Sequence, residues 1–250
     1  VDNLQNNYSY IISSESFVQK DRYGFLSPAF EMYLNEDYSK KKDPDNNHQI
    51  LMNKAVLLRY GTEQHDTQSF IGCLSQVHNG LYSKINDIKH LDTISEFKEK
   101  MIKKINIDLF IRLQNGSLIN LFKPRIRENI DINSYVNSKM YKNIDSSNEY
   151  QVTFFKDVIS SYKNFINYLK DDKSVIDYTY LWDFISSKES GLFQEGINLI
   201  ILQKPNNDMT DNIELICPTN SYSSKLFDNS KAAIIMIKTD NIYELIVVLK

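Results

Sequence analysis

The chain has 250 residues, with 29 Lys and Arg against 32 Asp and Glu and a formal net charge of −3. Its 42% hydrophobic content supplies a sizeable core and excludes wholesale disorder. No apolar run approaches the ~20 residues of a membrane-spanning helix, two cysteines exclude a disulfide scaffold, and the charge balance excludes a histone-like basic protein.

Asn, Ile, Lys and Tyr are heavily used, while Gly (7) and Pro (5) are scarce, a skew that AT-rich codons produce. Cys73 and Cys217 lie far apart in sequence and are expected to stay reduced, as in an intracellular protein. The chain opens at Val1 and stops at Lys250 directly after an apolar run, so it reads as a fragment of a longer polypeptide.

Residues 1–20 are polar and irregular. Ser27-Pro28 offers an N-cap with proline at the first helical position, followed by Phe30, Met32, Tyr33 and Leu34. Residues 35–49 hold almost no apolar side chains and read as a solvated loop. Residues 50–60 are apolar with a basic end at Arg59, and Gly61 closes them. Asp66 or Thr67 caps a helix over 68–78 that places Phe70, Ile71, Cys73, Leu74 and Val77 on one side. Thr93 and Glu96 form a capping box, opening a helix striped by Ile94, Phe97, Met101, Ile102 and Ile105. Asn106 caps a short helix ending at Asn115-Gly116, a common helix stop. Residues 123–148 are polar and lack a clear period.

The strongest helical pattern covers 150–170. Phe154, Phe155, Val158, Ile159, Tyr162, Phe165, Ile166 and Leu169 share one arc, and Lys156, Asp157, Ser160, Asn164 and Asn167 fill the other. A short helix over 178–186 has aromatics on two sides. After Gly196 the period changes. Residues 197–202, 213–217, 232–237 and 242–249 are apolar runs bounded by turn residues, which predicts strands. Thr239-Asp240-Asn241 predicts a tight turn joining the last two as a hairpin. The expected fold is therefore α+β. A helical N-terminal two-thirds precedes a small, mainly antiparallel sheet packed on the long amphipathic helix, with a boundary between 1–148 and 149–250.

Chemistry-bearing motifs are few. There is no Gly-rich phosphate loop or nucleophile elbow, so a self-contained nucleotide-hydrolysing core is not expected. Cys73 and His78 are about 140° apart on a helix, so a small core cysteine is expected rather than a metal ligand. Asp211 before a strand and Glu214 on it follow the order of acids in metal-dependent nucleases of the restriction-endonuclease type. The lysine position of that motif is apolar here, in Glu214-Leu215-Ile216 and again in Glu244-Leu245-Ile246. The alternatives are a degenerate nuclease fold and a plain solvent-facing acid. No catalytic residue, metal ligand or cofactor is assigned.

Residues 96–128 carry eight basic side chains against four acidic ones, a local +4 on an acidic chain. Lys103, Lys104, Lys123, Arg125 and Arg127 are the candidate phosphate contacts. Glu96 with Lys100 and Glu99 with Lys103 also stand at i,i+4 in the favourable order, as a solubilised helix face does. The 123–127 stretch lacks such local partners and is the better candidate. Lys40-Lys41-Lys42 is expected to be solvated. Tyr178, Tyr180, Trp182 and Phe184 have the spacing of core packing more than of a base-stacking platform.

Five stretches, in order, resemble a conserved protein of nucleocytoplasmic large DNA viruses of the mimivirus-like and algal-virus groups. They are DRYGFLSPAFEMYL (21–34), LLRYGTEQHDTQSFIGCLSQVH (57–78), IDLFIRLQNGSLINLF (107–122), YTYLWDFI (178–185) and GLFQEGINLIILQKPNNDMTDNIELICPTNSYSS (191–224). That family resembles the large subunit of the poxvirus-type early transcription factor. The resemblance implies a non-catalytic protein that pairs with a helicase-like ATPase subunit, recognises early promoter DNA and brings in the viral RNA polymerase. It implies a place in the host cytoplasm, at the viral factory, and in the virion. No site residue is carried over from it. A virion scaffold or interaction module is the remaining alternative.

Overall fold

In the computed structural model of the chain, residues 10–51, 55–86, 91–125, 129–205, 210–218 and 227–249 are described. The chain is α+β and divides into two compact units. The first is assembled from Val1–Ile94, Leu199–Cys217 and Ala233–Lys250, the second from Ser95–Asn198 and Pro218–Ala232. The boundary expected after residue 148 falls inside the second unit.

The first unit holds strands β1 (Tyr23–Gly24), β2 (Lys42–Asp43), β3 (Asn46–Ile50) and β4 (Val56–Tyr60), with helices α1 (Pro28–Tyr33) and α2 (Ser69–Asn86). It also holds β5 (Asn198–Gln203), which begins at the unit boundary, β6 (Glu214–Ile216), β7 (Ala233–Thr239) and β8 (Ile242–Leu249). Six of these form one sheet in the order β1-β4-β8-β7-β5-β6, while β2 and β3 form a separate hairpin. The expected β7–β8 hairpin is present. Thr239 pairs with Ile242 across Asp240-Asn241, and Asp240 takes the left-handed conformation (φ 53°) that such a turn needs.

Strand β8 reads as an almost continuous apolar run because it is central, with both faces covered. One face meets α2. Phe70 packs edge-on against Tyr243 at 5.2 Å, Ser69 Oγ accepts the Tyr243 amide at 2.9 Å, and the Cys73 thiol donates to the Tyr243 carbonyl at 3.4 Å. Side chains alternate along a strand, so Glu244 and Ile246 point to the other face. The chain from residue 11 to Tyr38 covers that face. Ile11, Phe25, Leu26, Phe30 and Tyr38 join Val56, Leu58, Leu202, Ile237 and Ile246 in one buried cluster. The Tyr38 hydroxyl ties this layer down, accepting from the Leu26 amide (3.0 Å) and donating to the Leu57 carbonyl (2.6 Å).

Two expectations are corrected here. The first two-thirds of the chain is not simply helical, because β1 and β4 belong to the main sheet. Residues 35–49 are largely exposed, with Tyr38 the only wholly buried residue, but they are not a loop: they form a 3-10 turn at Tyr38–Lys40 and most of the β2–β3 hairpin. Its three lysines are held locally. Lys40 pairs with Asp37 at 3.0 Å, Lys41 with the buried Glu36 carboxylate, and Lys42 lies over the Phe25 ring at 4.0 Å from its centroid.

The second unit carries α3 (Ile94–Lys104), which starts at the boundary, α4 (Ile107–Arg112), α5 (Ser117–Leu121), α6 (Lys139–Asn143), α7 (Glu149–Lys170) and α8 (Tyr178–Ser186). Asn148 caps α7 by accepting the Tyr150 and Gln151 amides, and Asn106 caps α4 by accepting that of Leu109. Phe155, Val158 and Ile159 of α7 bury against Ile107 and Ile130. Further along α7, Phe165 meets Phe110 at 5.4 Å and Phe122 at 5.0 Å. The long amphipathic helix therefore organises this helical unit, and the helix described on β8 is α2. Between α4 and α5 the backbone turns through three successive left-handed residues, Gln114, Asn115 and Gly116. Buried Asp183 of α8 accepts the Gln114 amide at 2.7 Å and holds that turn. Among the described residues, no helix is long and apolar enough to cross a membrane.

Candidate nucleic-acid interface

The basic stretch beginning at Lys123 is placed by α7. Asp157, Ser161 and Asn164 are spaced by four and three residues, so they form one stripe along that helix. The last carbonyls of α5 have no partner within their own helix. The stripe meets this end: Ser161 Oγ donates to the Ile119 carbonyl at 2.7 Å and Asn164 Nδ2 to the Phe122 carbonyl at 2.9 Å. Lys123 Nζ then lies 2.9 Å from Asp157 Oδ2, a carboxylate only 7% exposed. One feature of the sequence reading is corrected: Lys123 does have an acidic partner, distant in sequence. Within the polar arc of α7, Asp157 and Ser160 are buried, and Asp157 and Asn164 serve as docking groups.

The other candidates are held by different elements. Arg125 is exposed, two residues beyond the Lys123 anchor. Lys103 and Lys104 are exposed on the last turn of α3, where Lys103 faces Glu99 at 4.0 Å, the i,i+4 pair read from the sequence. The Lys104 ammonium lies beside Gly191, 3.6 Å from where a side chain there would begin. The turn around Gly191 also carries the Arg112–Glu189 and Lys188–Glu195 ion pairs. Lys98, counted in the same basic window, is buried and paired with Asp172 at 2.8 Å. Arg127 lies outside the described residues. By sequence, the second unit has 17 basic residues against 15 acidic ones, and the first has 12 against 17. The helical unit is thus slightly basic on a chain whose other unit is acidic.

The aromatic residues of α8 are core. Trp182 and Phe184 are buried, and Tyr180 packs on Phe122 at 5.2 Å and Tyr168 at 5.6 Å. Cys73 is fully buried against Thr62, and burial pushes its thiol up to about 12, as expected of a packing residue. Among the described residues, no group of three or more His, Cys, Asp and Glu side chains is placed to hold a metal ion.

The nuclease alternative places Asp211 just before a strand and Glu214 on it, and both positions hold. Glu214 is exposed on β6, the edge of the sheet, opposite Gln203. Asp211 is 60% exposed and forms an ion pair with Lys204, which follows β5. An amine therefore does stand beside one carboxylate, but as a surface ion pair of the kind worth about 0–1 kcal/mol.

The sequence reading missed one densely hydrogen-bonded polar site among the described residues. Arg59 and Glu244, a single charge in each of two apolar strands, form a buried pair in the first unit. A lone charge inside an apolar strand was the available signal, since burial demands a partner for it. Chain comparisons add no identity: no family model matches this chain, and neither a curated protein nor a solved structure matches it significantly.

Proposed function

We propose that this chain is a non-catalytic segment of a viral early transcription-initiation factor, and that its helical second unit contributes contacts to duplex promoter DNA. What supports the reading is the ordered set of sequence blocks that resemble the large-virus family. The sorting of basic residues into the second unit supports its DNA-contacting part, because a local positive surface neutralises phosphates even on an acidic chain. Exposed Lys103, Lys104 and Arg125 are the cations proposed to meet phosphate, with Arg127 as the fourth by sequence. A helicase-like ATPase subunit and the viral RNA polymerase are the proposed protein partners, and the viral factory and virion the proposed location.

Gel-shift titration of the 250-residue chain with duplex DNA at two salt concentrations tests the DNA contact. The expected result is binding that weakens with salt, and a further loss on replacing Lys103, Lys104 and Arg125 by alanine together. Unchanged affinity and salt dependence in that triple variant would remove these residues from the interface. Co-purification with a helicase-like ATPase subunit tests the partner.

A further inference from the structure

We infer that Lys123 is a positioning residue: its ion pair with Asp157 fixes the chain so that Arg125, and not Lys123 itself, meets DNA phosphate. This rests on the DNA-contacting reading above and refines which cation does what. Three side chains from one stripe of α7 hold five consecutive residues at the end of α5. Ser161 takes the Ile119 carbonyl, Asn164 the Phe122 carbonyl, and Asp157 the Lys123 ammonium. Phe122 adds an apolar grip, with its ring edge-on to Phe165 at 5.0 Å and to Tyr180 at 5.2 Å. Asp157 is only 7% exposed, and a buried carboxylate holds a cation more firmly than a surface acid does, so Lys123, itself 45% exposed, is drawn to it. Pro124 follows, with its fixed φ, and gives the chain a stiff exit from the anchor. Arg125 is the next side chain and is exposed. A guanidinium held near a fixed point loses less freedom when it meets a phosphate than one on a loose chain.

A phosphate contact and a positioning contact differ in salt dependence. Removing a cation that touches phosphate lowers the salt slope by about 1, whereas removing one that only orients a neighbour lowers affinity without changing the slope. Lys123→Met, Asp157→Asn and Arg125→Ala are compared in the 250-residue chain by gel shift at several salt concentrations. Arg125→Ala is expected to reduce the slope by about 1. Lys123→Met and Asp157→Asn are each expected to weaken binding about fivefold at constant slope, and Lys123→Arg to restore it. A slope lowered by about 1 in Lys123→Met makes Lys123 a phosphate contact and overturns the inference, while leaving the DNA reading intact.

The anchor is also read without DNA. Trypsin is blocked at the Lys123-Pro124 bond but cuts after Arg125. Cleavage there is expected to be faster in Lys123→Met and Asp157→Asn than in the parent chain. Equal cleavage rates in all three would show that the pair holds nothing in place and would overturn the inference on its own. Failure of the parent chain to bind duplex DNA would instead bring down the reading on which it rests.

Discussion

Arg59 Nη1 and Glu244 Oε2 lie 2.9 Å apart, diagonally across the β4–β8 ladder, with both side chains under 10% exposed. Neither charge is satisfied by the other alone. Arg59 also donates to the carbonyls of Phe25 (2.7 Å), Ser13 (2.9 Å) and Ser16 (3.0 Å), and Glu244 accepts the Val18 amide at 2.7 Å. The pair is a clasp that fastens the N-terminal layer onto the sheet.

Breaking the clasp from one side strands a buried charge. Glu244→Leu is expected to cost about 3–5 kcal/mol in urea unfolding, because Arg59 keeps its charge and the Val18 amide loses its acceptor. A simple buried pair is often replaced by apolar residues without loss. Here Arg59→Met with Glu244→Leu is expected to remain at least about 2 kcal/mol below the parent, since three carbonyls and an amide are left unpaired. Full recovery in the double variant would show that the backbone contacts carry no weight.

The same layer depends on two glycines. A Cβ on Gly61 would lie 2.0 Å from the Gln19 carbonyl oxygen, whereas one on Gly24 would lie 2.5 Å from Val18 Cγ2. The first clash is with backbone and the second with a side chain that can be trimmed. Gly61→Ala is expected to cost about 3 kcal/mol or more, and no neighbouring truncation should rescue it. Gly24→Ala is expected to be partly rescued by Val18→Ala. Thermal melts of the two single variants and the double variant check this.

The two cysteines should behave oppositely. Cys73 is fully buried and its thiol is pushed up to about 12, while Cys217 is exposed. A disulfide-exchange reagent at pH 8 is expected to titrate one thiol per native chain and two after denaturation. The raised value also sets a pH dependence. In the unfolded chain the Cys73 thiol ionises near its ordinary value of about 8.5, and in the fold it stays protonated. Its contribution is therefore complete below about pH 8.5 and is lost as pH rises toward about 12. Cys73→Ala should flatten the alkaline fall in stability between pH 9 and 11, measured by urea unfolding.

The left-handed turn between α4 and α5 is strained at non-glycine residues. Asn115 is exposed with φ 54°. Asn tolerates this region better than most residues, so Asn115→Gly is expected to stabilise by about 0.5 kcal/mol, while Asn115→Val should cost about 1–2 kcal/mol. A loss of stability in Asn115→Gly would mean that the asparagine side chain makes a contact that outweighs the backbone strain.

Local patterns with a strong period were legible in the sequence. Residues 150–170 alternate apolar and polar side chains at helical spacing, and α7 is there. Ile242–Leu249 is a long apolar run after a turn signal, and β8 is there. Strand β4 escaped notice because a five-residue run has too little length to separate strand from helix, and its partner β8 is remote in sequence. Charge was harder to read. The acids that neutralise Lys123 and Lys98 are Asp157 and Asp172, on elements no local pattern connects to them. A window count therefore overstates the free positive charge near residues 96–128. Arg125 and Lys104 are exposed, as candidate phosphate contacts must be.

Arg59 and Glu244 are 185 residues apart, and β4, whose other neighbour is the two-residue β1, is paired along its full length only when β8 exists. At translation rates of about 5–20 residues per second, β4 waits roughly 10–40 s on the ribosome before that partner emerges. During that interval Val56, Leu57 and Leu58 have no sheet to join, while the helices encoded in between can already consolidate. Synthesis thus favours a finished helical body beside an unfinished sheet. That intermediate is where a chaperone would engage, and where a premature stop before Ile242 would leave an aggregation-prone product.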